Sequence, residues 1–203
     1  MSAFDALSAD KLRAGLAPKI IGREIIVLAT TTSTNDLVLE RTLPSTPQGL
    51  VAFAEHQSAG RGQRTNSWES AQGKGLWFSI LLRPKLDLGE SPRLAAWAAE
   101  TVARTISGGL DLPATVKLPN DVMLGAQKVA GVLVEMRAQK NAPHIAIVGI
   151  GVNVNHAIED FSPELQTRAT SLAIALDRQV DRQRFATTLL RNLDRGYDEV
   201  FAR

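Results

Sequence analysis

The segment Gly149-Ile150-Gly151-Val152-Asn153-Val154-Asn155 constrains the fold more than any other. Branched apolar residues alternate with glycine and asparagine, which is the period of an extended strand. Gly149, Gly151, Asn153 and Asn155 therefore share one face, and the first half of that face carries no side chain. Glycine weakens a strand interior, so a pair of them marks close approach by a ligand or by another part of the chain. At this level a tightly packed helix and a small bound molecule are equally good occupants.

Other short apolar runs supply the rest of a sheet. Arg23 to Thr31 with its run Ile25 to Leu28, Leu50 to Gln57, Leu76 to Arg83 and Ala114 to Leu118 read as strands, the last two stopped by Pro84 and Pro119. Val122 to Leu124 and Lys128 to Arg137 read as a hairpin about Gly125-Ala126-Gln127, and His144 to Asn155 as a final strand. Residues 1–20 read as a short helix or a loose lead-in. A helix follows Ser33 or Thr34 over Asn35 to Thr42. Another opens at Ser91-Pro92, presents Leu94, Trp97, Ala98, Thr101, Val102, Thr105 and Ile106 on one face, and closes at Gly108-Gly109. A last helix, capped by Asp181, presents Phe185, Leu189, Leu193, Tyr197, Val200 and Phe201. Strands outnumber helices and short turns join those after Pro119. The expectation is an α+β fold, a mainly antiparallel or mixed sheet flanked by helices. No linker divides the 203 residues, so residues 1–203 read as one domain.

The absence of cysteine excludes a thiol nucleophile, a thiolate metal site and a disulfide framework. Met1 to Ile20 has no apolar core of a signal peptide, and the apolar runs are too short to span a bilayer. The expectation is a soluble cytoplasmic protein without a membrane partner. A formal charge of +2 gives no footprint for nucleic acid. Only Arg61 to Arg64 concentrates positive charge, which suits a small anionic ligand.

Those arginines lie in Gln57-Ser58-Ala59-Gly60-Arg61-Gly62-Gln63-Arg64-Thr65-Asn66-Ser67-Trp68, part of a long polar loop. Glycines let backbone N–H groups converge on phosphate oxygens, arginines add forked donors, and Trp68 adds a flat ring. A solvated polar loop is the competing reading. No Gly-Lys-Ser/Thr follows and a strand comes next, which excludes a Walker loop and a dinucleotide fingerprint. In Val116-Lys117-Leu118-Pro119-Asn120-Asp121 a lysine ends a strand. Turned inward it must meet an anion; otherwise the segment is a plain Pro-Asn-Asp turn. Thr31-Thr32-Ser33-Thr34-Asn35 is either a helix cap or a set of polar groups for a small head group. His56, His144 and His156 have no metal-ligand spacing, and Ser33 and Ser79 lack a nucleophile-elbow context. No metal-binding residues are assigned.

In this order the segments resemble the catalytic domain of biotin protein ligases, from about Glu24 to Phe201. The resemblance is carried by Ser33-Thr34-Asn35, by Gln57 to Arg64 with Trp68 and Ser70, and by Lys117-Leu118-Pro119-Asn120-Asp121. It continues through Lys128-Val129-Ala130-Gly131-Val132-Leu133-Val134-Glu135, Gly149 to Asn155, and Ala169-Thr170-Ser171-Leu172. It implies a fold related to class II tRNA synthetases. It also implies activation of biotin by ATP with Mg²⁺ to biotinyl-5′-adenylate, then transfer to a lysine of a biotin carboxyl carrier domain. A homodimer is compatible with it.

The resemblance puts Thr34 and Gln57 on the biotin head group, with Ser33, Asn35 and Gly60 beside them and Gly131 and Gly151 leaving room for the ring and tail. It puts Arg61 at the biotin and phosphate end, Arg64 on the phosphates, and Trp68 and Asn153 at the adenine. Gly62 and Asn120 join the ATP side, and Lys117 stands between biotin carboxylate and α-phosphate. Trp68, Lys117 and Asn153 are thus expected to converge on one pocket. Leu118, Gln63 and Thr65 depart from the family's tryptophan, second arginine and last glycine. Neither an N-terminal winged helix nor a C-terminal barrel is expected within these residues. A lipoyl or octanoyl ligase or transferase of the same fold is the runner-up, and a non-catalytic biotin or adenylate binder the reading from another class.

Overall fold

The computed structural model of the chain describes residues 6–64, 66–140 and 142–201. Among these, the apolar runs become β1 (Glu24–Leu28), β2 (Leu50–Ala54), β3 (Gly75–Leu82), β4 (Ala114–Lys117), β5 (Asp121–Leu124), β6 (Gln127–Arg137) and β7 (Ile145–Asn153). They form one seven-stranded sheet in the order β1-β2-β3-β7-β6-β5-β4. β1 and β2 are parallel, joined by the crossover helix α2 (Thr34–Glu40), and all other neighbours are antiparallel. The mixed sheet with flanking helices is the expected α+β architecture.

The glycine strand β7 is central, and β3 beside it is buried at every position. One face of β7, carrying Ala146, Val148, Ile150 and Val152, joins the main core with α3 (Ser91–Leu110) and α5 (Arg182–Phe201). The expected face of α3 is buried throughout. On α5, Val200 is exposed while its other expected core residues are buried. On the opposite face, Leu37 and Val38 of α2 pack with Leu50, Ala52, Leu81 and Ile147. Because α2 has only seven residues, it covers the Ile147 end of that face and stops near Gly149.

Two boundaries differ from the sequence reading. α3 runs through Gly108-Gly109 to Leu110 and ends on Asp111, which takes the left-handed conformation at φ 57°. Nothing lies within 4 Å of a Cβ built on either glycine, so no steric demand stops the helix there. A short helix α4 (Leu172–Leu176) also appears, capped by Ser171, whose hydroxyl accepts the Ile174 N–H. Five residues are too few for helical periodicity to register. The lead-in forms α1 (Ala9–Ala14), capped by Ser8. No helix among the described residues is long and apolar enough to cross a membrane.

A buried ion pair holds the ends of several elements together. Arg182 Nη1 at the start of α5 donates to Glu55 Oε2 at 2.8 Å and to the Gly75 carbonyl at 3.0 Å. The other Glu55 oxygen accepts the Leu7 N–H at 2.7 Å. Desolvated charges persist only when paired and hydrogen-bonded, and these are both.

His156, just beyond β7, stacks on Phe161 with centroids 5.0 Å apart and meets Trp77 edge-on at 5.6 Å. It is buried and its Nδ1 has no hydrogen-bond partner. Burial holds its pKa down at about 4, against 6.5 ordinarily; Asp160 opposes the drop and Lys74 adds to it. Between those values the unfolded chain binds the extra proton. Stability therefore rises with pH across the window and is lost as pH falls through it, by up to about 3 kcal/mol. Urea unfolding at pH 7.0, 5.5 and 4.5 should show this decline, and His156→Phe should flatten it. Equal slopes for the two proteins would refute the assignment.

Candidate functional site

Beyond the first turn of α2, the sheet face becomes the floor of a cleft. The floor is set by register. Ser79, Gly149 and Leu133 lie side by side across β3, β7 and β6, and the next row is Trp77, Gly151, Gly131 and, on β5, Asp121. A Cβ on Gly149 would stand 2.3 Å from Asn35 Oδ1, and one on Gly151 would stand 2.6 Å from the Trp68 ring. Of the occupants anticipated for the bare face, other parts of the chain are the ones seen here. The start of α2 covers Gly149, and the glycine-rich loop lays Trp68 over Gly151 and Gly131.

The α2 end of the cleft is polar and internally ordered. Gln57 Oε1 accepts from the Thr34 N–H at 2.8 Å and from its hydroxyl at 3.0 Å, which leaves the Gln57 NH₂ as a donor. Ser79 Oγ lies 2.7 Å from Thr34 Oγ1 and 2.5 Å from Asn35 Oδ1, and Asn35 Nδ2 donates to Glu135 Oε2 at 2.7 Å. Ser33 is the N-cap of α2, yet its side chain makes no capping hydrogen bond. Ser33 instead lines the cleft, so it is more than a helix cap.

The loop after β2 is a tight turn. Trp68 N–H donates to the Gly60 carbonyl, Gly62 N–H to Asn66, and Arg61 bridges to Ser67. Among the described residues of the loop, Arg64 takes the left-handed conformation, at φ 60°. Thr65, at the position of the family's last glycine, lies outside the described residues. Arg64 is exposed. Arg61 and Gly62 line the cleft, but the Arg61 guanidinium is already engaged. It donates to Asp36 Oδ2 at 2.5 Å and to Glu135 Oε2 at 2.9 Å. The hydrogen bond it donates to Asp36 raises its pKa most, desolvation opposes this, and Glu135 adds to the rise.

The lysine of the cleft is Lys128, and here the expected convergence is corrected. Lys117 ends the edge strand β4, opposite Asp121, and is exposed without lining the cleft. Asp121 in turn opposes Gly131, so Lys117 shares the floor's face but stands two strands, roughly 10 Å, from Gly131. Lys128 arrives through a β-bulge. Val122 opposes Ala130 while Met123 opposes Lys128, which leaves Val129 as an extra residue. Strict alternation would put Lys128 on the core face with Ala130 and Val132; one extra residue turns it to the cleft. Its Nζ lies 2.6 Å from Asp121 Oδ1 and 5.1 Å from the centre of the Trp68 ring. The available signal was a lysine inside an otherwise apolar strand.

Asn153 is also outside the cleft lining. Its Nδ2 donates to the Thr170 carbonyl at 3.0 Å, so it tethers the segment before α4 to the sheet. Asn120 does line the cleft, with its amide bonded to the Val132 carbonyl at 3.0 Å. Of the residues expected to meet in one site, Ser33, Thr34, Asn35, Gln57, Arg61, Gly62, Trp68, Asn120, Gly131 and Gly151 do so. Gly60 packs against the Trp68 carbonyl, beneath them.

Residues 27–153 match the biotin/lipoate A/B protein ligase family. The chain is 35% identical over 176 residues to the bifunctional ligase/repressor BirA of Bacillus subtilis, covering 87% of this chain and 54% of that protein. It is 32% identical over 182 residues to the biotin–[acetyl-CoA-carboxylase] ligase of Mycobacterium tuberculosis, covering 85% and 63%. The chain thus spans about half the length of the BirA relatives. Its fold is similar to that of the biotin protein ligase from Aquifex aeolicus in complex with biotin and ATP. The TM-score is 0.74 at 30% identity, over 88% of this chain and 73% of that one.

Gly149 and Gly151, the floor glycines of β7, differ in what lies over them. Gly149→Ala strikes a buried amide in a hydrogen-bonded network, and overpacking of this kind costs about 1–3 kcal/mol. Gly151→Ala strikes a ring carried by a loop, which can move. Urea unfolding should show a clear loss for the first and less than about 1 kcal/mol for the second. Tryptophan emission should change for Gly151→Ala as Trp68 is displaced. The opposite order would contradict the floor described.

Proposed function

The chain belongs to the biotin/lipoate A/B protein ligase family, and from this we propose that it activates biotin with ATP and transfers it to a protein lysine. The acceptor is the lysine of a biotin carboxyl carrier domain. The observation that carries the reading is one cleft combining an ordered polar end, a floor free of side chains, an indole ring and a single ammonium. The relative named biotin–[acetyl-CoA-carboxylase] ligase and the similar biotin protein ligase in complex with biotin and ATP support biotin over lipoate.

In this reading the ureido head group meets Ser33, Thr34 and the Gln57 NH₂, and the ring and tail lie over Gly131 and Gly151. Trp68 offers the adenine a flat face, and Asn120 lies at the ATP side. The biotin carboxylate oxygen attacks the α-phosphorus; a P–O bond forms and the bond to pyrophosphate breaks. Negative charge grows on the phosphoryl oxygens during this step. The Lys128 ammonium stabilises that charge more in the transition state than in the ground state, provided it leaves Asp121 for the ligand. Arg64, on the exposed turn, is the loop cation available for the pyrophosphate. Mg²⁺ would accompany the ATP phosphates. In the second step the neutral amine of the acceptor lysine attacks the acyl carbon, and the bond to the AMP oxygen breaks.

Incubation with ATP, Mg²⁺ and either biotin or lipoate tests the reading through pyrophosphate release. Release with biotin is expected; release only with lipoate would favour the sister activity, and binding without release a non-catalytic protein. Lys128→Ala should lower release by about 10²–10³, the usual effect of removing one charge-stabilising group. Lys117→Ala should stay within about twofold of the parent, because its exposed side chain stands outside the cleft. If the two effects were exchanged, the assignment of the lysine would be wrong.

A further inference from the structure

The guanidinium of Arg61 faces two carboxylates, Asp36 in the first turn of α2 and Glu135 on β6. One cation between two anions leaves a net negative charge at that point, which is a poor site for a phosphate. The same Glu135 oxygen also accepts from Asn35, the residue lying over Gly149. The loop, the start of α2 and β6 therefore meet at a single carboxylate oxygen. Pulling the guanidinium away toward a ligand would leave two carboxylates and an amide donor to rearrange within the wall of the cleft.

We infer that Arg61 is a positioning residue whose side chain clips the glycine-rich loop onto α2 and β6 and closes the head-group end of the cleft, instead of binding phosphate. The ligand meets the loop backbone, and the clip sets how long the head group is held. Asp36 is the informative member because it does not line the cleft, so its effect can only travel through Arg61. The inference rests on the proposed biotin-activating reading for its ligand, but the clip itself has a readout that needs no ligand.

The test uses Arg61→Gln, Arg61→Lys, Asp36→Asn and the double variant R61Q/D36N in the full chain. Hydrogen exchange of the ligand-free proteins comes first. R61Q and D36N should both speed exchange of the amides of Gly62 and Trp68, which donate within the loop turn. Biotin affinity without ATP, by calorimetry, should fall about 10-fold or more in R61Q and less in D36N. The KM for ATP in pyrophosphate release should move by less than about threefold. The double variant should be no worse than R61Q, because both substitutions break one interaction. R61K should not restore binding, since a compact ammonium lacks the fork that spans two carboxylates.

A raised KM for ATP with intact biotin affinity would overturn the inference and make Arg61 a phosphate ligand. Additive losses, or unchanged exchange in both single variants, would overturn it as well. If R61Q does not fold, D36N carries the same comparison. If the parent protein binds no biotin, the substrate reading fails while the exchange result still decides whether the clip exists.

Discussion

A sheet can keep a bare patch at its centre only if something else excludes water from it. Gly149, Gly151 and Gly131 form such a patch on the middle strands, and the surrounding architecture follows from how it is covered. The far face of the same strands is filled by α3 and α5 in ordinary apolar packing. The near face is shared between a helix too short to cover it and a loop long enough to reach across. Asn35 and Trp68 occupy the space that side chains would have taken, and both are held by groups that a ligand can engage or displace.

That cover is polar, and buried polar groups are stable only when each finds a partner. The chain from Gln57 through Thr34, Ser79, Asn35 and Glu135 to Arg61 meets this condition. It joins residues more than a hundred positions apart, so its geometry depends on strand register as much as on the residues themselves. The Glu55–Arg182 pair plays a related part at the end of β2, where it fixes α5 and the N-terminal segment against the first residue of β3. Trp68 differs from both: its Nε1 is buried without a partner, which leaves the ring less firmly held than the network beside it.

Much of this was legible in the sequence because it is local. Alternation located the strands, and helical periodicity located α3 and α5, where every expected core residue but Val200 is buried. The glycine-arginine loop, the Ser33-Thr34-Asn35 junction and the glycine strand do meet in one cleft. What escaped the reading depends on partners distant in sequence. Asn153 belongs to the right strand, but the Thr170 carbonyl claims its amide. Arg61 looks like a free cation until α2 and β6 bring Asp36 and Glu135 to it. Lys117 was well placed by its turn, yet the strand order leaves it at the sheet edge.

Lys128 escaped for a different reason, and the extra residue Val129 explains it. An extended strand has a parity: odd and even positions see different worlds, and a bulge is the one place where that parity changes. Lys128 and Gly131 differ in parity, and the ammonium reaches the cleft only because the bulge takes up one residue between them, whatever the chemical nature of that residue. The face on which this lysine stands is therefore set by the bulge as well as by the residue order. Straightening the bulge with every residue kept would turn the lysine toward the core, whereas removing Val129 would leave Lys128 two residues from Gly131 and still on the cleft face.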